Sequence, residues 1–185
     1  TVWRDVRKVR PGHALRFGPD GRLATEVDFA TPAPRPSTLD LDRLANVFRA
    51  ATRRQMLSDV PVGAYLSGGL DSSSVVAAMC EAGPHPRSFG IGFAPTADDP
   101  GELAASRVAS AILGTDHEGV EVPLQPYYAG FARAVLEVEE PLAEAGMLLL
   151  SDLAALAARR VKVVLTGQGA DEPLGGYPRH QAARL

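Results

Sequence analysis

The 185-residue sequence predicts an α/β fold: a parallel sheet with helices on both faces, preceded by a β-hairpin. Three observations lead there. From residue 60 onward, short apolar runs alternate with segments of helical periodicity, and repeated β-α units imply parallel strands joined by right-handed crossovers. Ahead of them, a turn-rich stretch is set off by three prolines in five residues, Pro32, Pro34 and Pro36. Finally, two Gly-rich segments directly follow apolar runs, and so stand at the carboxyl ends of strands, where sheets of this kind bind ligands.

In chain order, His13-Ala14-Leu15-Arg16-Phe17 leads into the turn signal Gly18-Pro19-Asp20-Gly21 and returns over Arg22 to Phe29. A lone hairpin is only marginally stable, so this one is expected to belong to a larger sheet. Residues 31–37 read as an extended linker because proline fixes φ and removes donors. Leu41, Leu44, Phe48 and Ala51 then recur at helical spacing, with Ser37, Thr38 or Asp40 available as N-cap. Val60 to Leu66 is a short apolar strand and 72–82 an Ala/Val helix. Ser88 to Phe93 is a strand, 101–113 an amphipathic helix, and Gly119 to Val122 a weaker strand. Helices are expected over about 125–139 and 147–160, and Val161 to Leu165 as a buried strand.

Bulk properties narrow the function. A composition 45% hydrophobic and 22% charged suits a globular domain with a sizeable core. A net charge of −3 favours neither nucleic acid nor an anionic membrane as partner. Apolar runs such as Met147-Leu148-Leu149-Leu150 fall far short of the roughly 20 residues that span a bilayer. One cysteine, Cys80, precludes an internal disulfide and fits a cytoplasmic setting; its helical pattern makes it a core residue rather than a nucleophile. Of 19 basic side chains only Lys8 and Lys162 are lysines, so lysine-based catalysis has few candidates. His117 and His180 show no metal-ligand spacing and read as ordinary polar positions.

The first Gly-rich segment is Ser67-Gly68-Gly69-Leu70-Asp71-Ser72-Ser73. Its glycines let backbone N–H groups approach an anion, the helix start adds a favourable dipole, and three serines supply hydroxyls. Asp71 would repel a phosphate unless a divalent cation stood between them, so the set as a whole suits Mg²⁺-bound pyrophosphate. No Gly-Lys-Ser/Thr ends it, which separates it from the Walker loop. The second segment is Leu165-Thr166-Gly167-Gln168-Gly169-Ala170-Asp171-Glu172, followed by Gly175-Gly176-Tyr177. Taken alone it would equally suit a Gly-rich turn ahead of a capped helix.

The first segment resembles the loop of the ATP-pyrophosphatase family. Leu66 to Ser73 and Leu165 to Tyr177 together resemble the synthetase domain of glutamine-dependent asparagine synthetases. Weaker likeness lies at Ser58 to Gly63, Ser88 to Phe93, Leu113 to His117 and Glu140-Pro141, while Val9 to His13 resembles the end of that family's glutaminase domain. The resemblance implies an adenine nucleotide α-hydrolase-like fold. Residues 1–30 would form the tail of a glutaminase domain, 31–37 the linker, and 38–185 an ATP-binding synthetase domain truncated at its C-terminus. It implies that Ser67, Gly68, Gly69, Asp71 and Ser72 hold the β,γ-phosphates. Leu66 and Ile91 would contact the adenosine, and Thr166 and Gly167 the nucleotide near its α-phosphate. Asp71 and Asp171 would hold Mg²⁺, with Gln168 and Asp171 facing the acceptor substrate.

The reaction so implied activates a carboxylate such as aspartate as its AMP ester, which ammonia drawn from glutamine then displaces. The family's lysine would lie beyond Leu185 and its N-terminal cysteine is absent. Thr1 thus reads as a cut point and the segment as incomplete alone, needing the glutaminase and C-terminal helical parts and open to homo-oligomerisation. Gln168 stands where asparagine synthetases commonly carry a glutamate, and a neutral amide cannot pair with an α-ammonium group as a carboxylate can. Two readings stay open there, a substrate other than aspartate or a tolerated variant. Relatives that close β-lactam or macrolactam rings, and a nucleotide-binding fragment without activity, are the alternative functions.

Overall fold

The computed structural model describes residues 1–29, 38, 40–95, 101–123, 128–141, 146–178 and 180; the stretch 31–37 expected as a linker lies outside them. Strands β1 (His13–Phe17) and β2 (Leu23–Asp28) form the expected antiparallel hairpin, with His13 opposite Asp28. Its turn closes where the Gly18 N–H donates to the Arg22 carbonyl at 2.9 Å. Lys8 ties the segment before it to Glu140 at 2.6 Å, and that ammonium holds the Glu140 carboxyl below its usual range. Helix α1 (Leu41–Gln55) takes Asp40 as its N-cap, whose carboxylate accepts from the Arg43 N–H at 2.9 Å.

The β-α units follow as β3 (Val62–Tyr65), α2 (Leu70–Ala82), β4 (Arg87–Phe93), α3 (Glu102–Leu113) and β5 (Asp116–Val122). Then come a short 3₁₀ turn (Tyr128–Gly130), α4 (Phe131–Val138), α5 (Gly146–Ala157), β6 (Val163–Leu165) and the single-turn α6 (Asp171–Leu174). The four strands are parallel in the order β5-β4-β3-β6. Alternation along them sorts side chains to two faces. Tyr65, Phe89, Ile91, Val120 and Val164 pack on Leu153, Leu156 and Ala157 of α5. On the opposite face Val62, Ala64 and Leu66 meet Val76 and Met79 of α2 and Ala109 and Leu113 of α3. Phe89, Leu66, Val76 and Met79 are fully buried, each contributing roughly 1.5–3 kcal/mol. Cys80 packs in this second layer with its Sγ 3.7 Å from the Leu113 carbonyl, and burial pushes its thiol pKa up.

Two strands differ from expectation. The run at Val161 to Leu165 is not a fully buried strand. Only Val163–Leu165 pairs, at an edge of the described sheet, and Val163 is 37% exposed. With a single neighbour, its apolar residues are spent on the two flanking layers, Val164 toward α5 and Leu165 toward α2. Conversely, β5 starts at Asp116 rather than Gly119 because its polar residues have partners: Asp116 meets Arg87 at 3.2 Å, and His117 turns inward.

His117 lies in a buried polar layer between the sheet and α3. Its Nδ1 is 2.9 Å from Ser88 Oγ and its Nε2 2.9 Å from Ser106 Oγ; Ser88 Oγ continues to Thr115 Oγ1 at 2.7 Å. Burial holds the His117 pKa below the ordinary histidine value, the nearby Arg107 charge adding to this and the Ser88 backbone opposing it. The unfolded chain therefore takes up a proton near pH ~6.5, before the folded chain does. Stability from neutral His117 is complete above that pH and is lost as pH falls through the folded value. In urea titrations from pH 8 to pH 5, the stability advantage of wild type over His117→Asn should shrink as pH falls; a constant gap would refute the assignment.

Candidate functional site

Although a hundred residues separate them in sequence, β3 and β6 are parallel neighbours with Ala64 opposite Leu165. Their following loops therefore leave the sheet side by side at its carboxyl edge. The first begins at Leu66, anchored by its N–H to the Phe89 carbonyl at 2.9 Å. Ser72 then folds the loop back: its Oγ accepts from the Ser67 N–H at 3.2 Å, lies 2.9 Å from Ser67 Oγ and donates to the Gly69 carbonyl at 3.3 Å. Gly69 is the N-cap of α2 and supplies no side-chain cap, so no side chain covers the first N–H groups of that helix. In the second loop Thr166 Oγ1 accepts from the Gln168 N–H at 3.2 Å, and the Gly175 and Gly176 N–H groups donate to the Asp171 carbonyl at 2.9 and 3.1 Å.

Where the loops meet, no side chain fits at residue 167. A Cβ on Gly167 would come within 2.6 Å of the Ser72 nitrogen, 2.8 Å of the Asp71 carbonyl carbon and 2.9 Å of the Ser72 Cα. Gly68 is needed for a different reason. Its φ is +85°, and a Cβ there would meet the Ala105 carbonyl carbon and oxygen of α3 at 2.5 and 2.6 Å.

Between the loops opens a cleft of about 490 Å³. Among the residues singled out by sequence, Leu66, Ser67, Asp71, Ser72, Ile91, Thr166, Gly167, Gln168 and Asp171 line it. Gly68 and Gly69 do not: Gly68 docks on α3, and Gly69 sits behind Ser67 at the cap. Ser73, read with the other serines as a hydroxyl donor, faces a separate groove toward α3. The cleft also contains residues the motifs did not reveal. Tyr65 and Phe89 come from the strands and Glu102 from the first turn of α3, while Met147, Leu149, Leu150 and Leu153 of α5 form an apolar wall. Burial raises the pKa of the Tyr65 phenol, so it is the protonated hydroxyl that is available there.

Among the described residues the cleft lining contains no lysine or arginine, and its charged groups are the carboxylates Asp71, Asp171 and Glu102. A polyphosphate held here must then be met by backbone N–H groups, hydroxyls and a cation. The donor set fits Mg²⁺, which takes hard oxygens and usually binds through one or two carboxylates together with substrate phosphates. Among the described residues no group of three or more His, Cys, Asp or Glu is arranged to hold a metal. The phosphates would complete the coordination.

The fold occurs in NMN synthetase from Francisella tularensis, at a TM-score of 0.51 and 14% identity over 75% of this chain and 59% of that one. It occurs also in an NH3-dependent NAD synthetase from Campylobacter jejuni, at 0.50 and 17% over 75% and 61%. Fold and topology thus define a parallel α/β domain of the adenine nucleotide α-hydrolase-like type. The family model described as asparagine synthase matches residues 43–185, and the chain belongs to that family. Asparagine synthetase [glutamine-hydrolyzing] 1 of Bacillus subtilis is 32% identical over 96% of the chain. A protein named amidase chry2 from Gibberella zeae is 31% identical over all of it. The chain spans 28% of the length of the first of these relatives and 31% of the second. No helix among the described residues is long and apolar enough to cross a membrane.

Proposed function

We propose that this chain is the ATP-binding part of an amide-forming ligase that activates a carboxylate as its acyl-adenylate and passes it to ammonia. The observation that carries this reading is the convergence of the two loops, with Gly167 against the first turn of α2. That convergence sets the start of α2, the carboxylates Asp71, Asp171 and Glu102 and an apolar wall around one cleft. Ser67, Ser72 and the start of α2 take the β,γ-phosphates, Leu66 and Ile91 the adenosine, and Thr166 and Gly167 the nucleotide near its α-phosphate. Asp71 and Asp171 hold Mg²⁺, which when bound neutralises phosphate charge and eases departure of pyrophosphate. The acceptor carboxylate attacks the α-phosphorus and the α–β bridge breaks, the electron pair leaving with pyrophosphate. Ammonia then attacks the acyl carbon and loses a proton as AMP departs. The residues lining the cleft act by positioning and charge neutralisation. The same reading puts the exposed hairpin with a glutaminase-like domain supplying ammonia from glutamine, residues 38–185 with the ATP-binding domain, and the whole in the cytoplasm.

The test is pyrophosphate release from ATP by the full-length protein, with aspartate and ammonium added singly and together. Release that needs neither would refute the ligase reading. Gln168 refines it: Gln168 and Asp171 line the same cleft, which supports the reading that residue 168 faces the acceptor. An amide oxygen already makes a charge-assisted hydrogen bond to an ammonium group, and a carboxylate adds ion-pair attraction on the order of 1.4 kcal/mol. Gln168→Glu should therefore lower the apparent Michaelis constant for aspartate roughly tenfold by better holding its α-ammonium group. Equal constants would show that residue 168 does not meet the acceptor and that its identity is tolerated.

A further inference from the structure

The polar layer between the sheet and α3 includes Ser106, the residue next to the Ala105 backbone on which Gly68 rests. We infer that His117 is a positioning residue for the nucleotide loop, holding α3 in the place where Gly68 docks; this rests on the ATP-binding reading above. One imidazole on β5 joins three elements, reaching Ser88 of β4 through Nδ1 and Ser106 of α3 through Nε2, each at 2.9 Å. Both serines are fully buried. The space is shaped for the ring, since a Cβ on Gly90 would fall 2.6 Å from Ser106 Oγ and 3.2 Å from His117 Nε2. Ser106 Oγ also donates to the Leu103 carbonyl at 3.2 Å within the helix, which leaves its lone pairs for the His117 Nε2–H and fixes the direction of that bond to the sheet. An apolar contact would let the helix slide; directional hydrogen bonds in a buried layer do not.

Ala105, next to Ser106 in sequence, presents the backbone on which Gly68 closes. A Cβ on Gly68 would stand 2.5 Å from its carbonyl carbon, so the two chains touch with no side chain between them. A shift of α3 by a few tenths of an ångström therefore moves the loop that carries Ser67 and Asp71. It moves Glu102 as well, one turn earlier on the cleft edge. At the far end of α3 a branch of the same network runs from Ser88 through Thr115 Oγ1 to Ser110 Oγ at 3.0 Å, with Ser110 Oγ donating to the Thr115 carbonyl at 3.2 Å, and cutting it at Ser110 leaves both His117 contacts in place. That tie stabilises the helix without touching Gly68, which makes Ser110 a control.

Mg-ATP affinity is measured by calorimetry on the full-length protein and its variants. His117→Asn, which can keep the Ser88 contact, and Ser106→Ala should each weaken binding about fivefold to tenfold, the scale of one or two lost hydrogen bonds. Because they cut the same bridge, the double variant should be little weaker than either single one. Ser110→Ala should lower the melting temperature similarly and leave affinity within about twofold. Unchanged affinity in both single variants, or an equal loss in Ser110→Ala, overturns the inference while ATP binding stands. Failure of the unsubstituted protein to bind ATP overturns the reading beneath it, and this inference with it.

Discussion

Gly167→Ala is expected to weaken ATP binding about a hundredfold, equivalent to roughly 2.7 kcal/mol, and to destabilise the fold by about 1–3 kcal/mol through overpacking. The added methyl would lie 2.6–2.9 Å from three backbone atoms of Asp71 and Ser72. Backbone in the first turn of a helix cannot rotate aside as a side chain can. The two loops must therefore separate, taking Thr166 and Gln168 away from Ser67 and Asp71. Gly69→Ala is the matched comparison. Its φ of −72° suits any residue, and the new methyl would meet only Ser67 Oγ, at 3.4 Å. That variant should bind ATP within about threefold of wild type, an N-cap glycine being roughly a peer of its replacement apart from the cap term of about 1 kcal/mol. Calorimetry and thermal melts on both decide it. Equal affinities for Gly167→Ala and wild type would show that the loops need not touch for ATP to bind.

Most of this site was legible in the sequence because the chemistry is carried by local segments. A strand, a glycine turn and a helix start can be read from ten residues, and both loops stand where such reading puts them, at the carboxyl ends of β3 and β6. What local pattern could not supply was pairing. Nothing within Val161 to Leu165 says that the strand stands at an edge of the described sheet, since four apolar residues and a lysine look alike with one neighbour or two. Nor do Asp116-His117-Glu118 look like strand until Arg87, Ser88, Ser106 and Arg160 are found beside them to satisfy each polar group. The apolar wall from Met147 to Leu153 was visible as a helix, but its place over the cleft depends on α5 crossing β4. Gly68 was read for phosphate because a glycine's freedom has no label; its neighbour turned out to be Ala105.

The division of labour between the two glycines follows from that. Gly167 lets one loop approach the other, whereas Gly68 lets the first loop rest on α3, so the cleft is braced from two sides by backbone alone. Such contacts leave no slack for side-chain rotation. Among the described residues, none of the ion pairs involves the cleft carboxylates Asp71, Asp171 or Glu102.

Asp71→Asn is expected to remove much of the metal dependence of ATP binding, and this is the sharpest test of why an acid stands in an anion loop. Asp71 lies in the first turn of α2, where a carboxylate gains about 0.3–1 kcal/mol from the helix dipole. Its removal should cost no more than that in stability. Facing a phosphate some 4 Å away, however, the same carboxylate is opposed by on the order of 4 kcal/mol at an effective dielectric of 20. A divalent cation between them turns that opposition into attraction. With Mg²⁺ present, Asp71→Asn should therefore bind ATP about a hundredfold more weakly than wild type, the scale of a lost charged ligand. In EDTA the order should invert, with the variant binding metal-free ATP as well as wild type or better. A loss of the same size with and without Mg²⁺ would mean that Asp71 serves only the dipole of α2, and the metal would have to be moved off this residue.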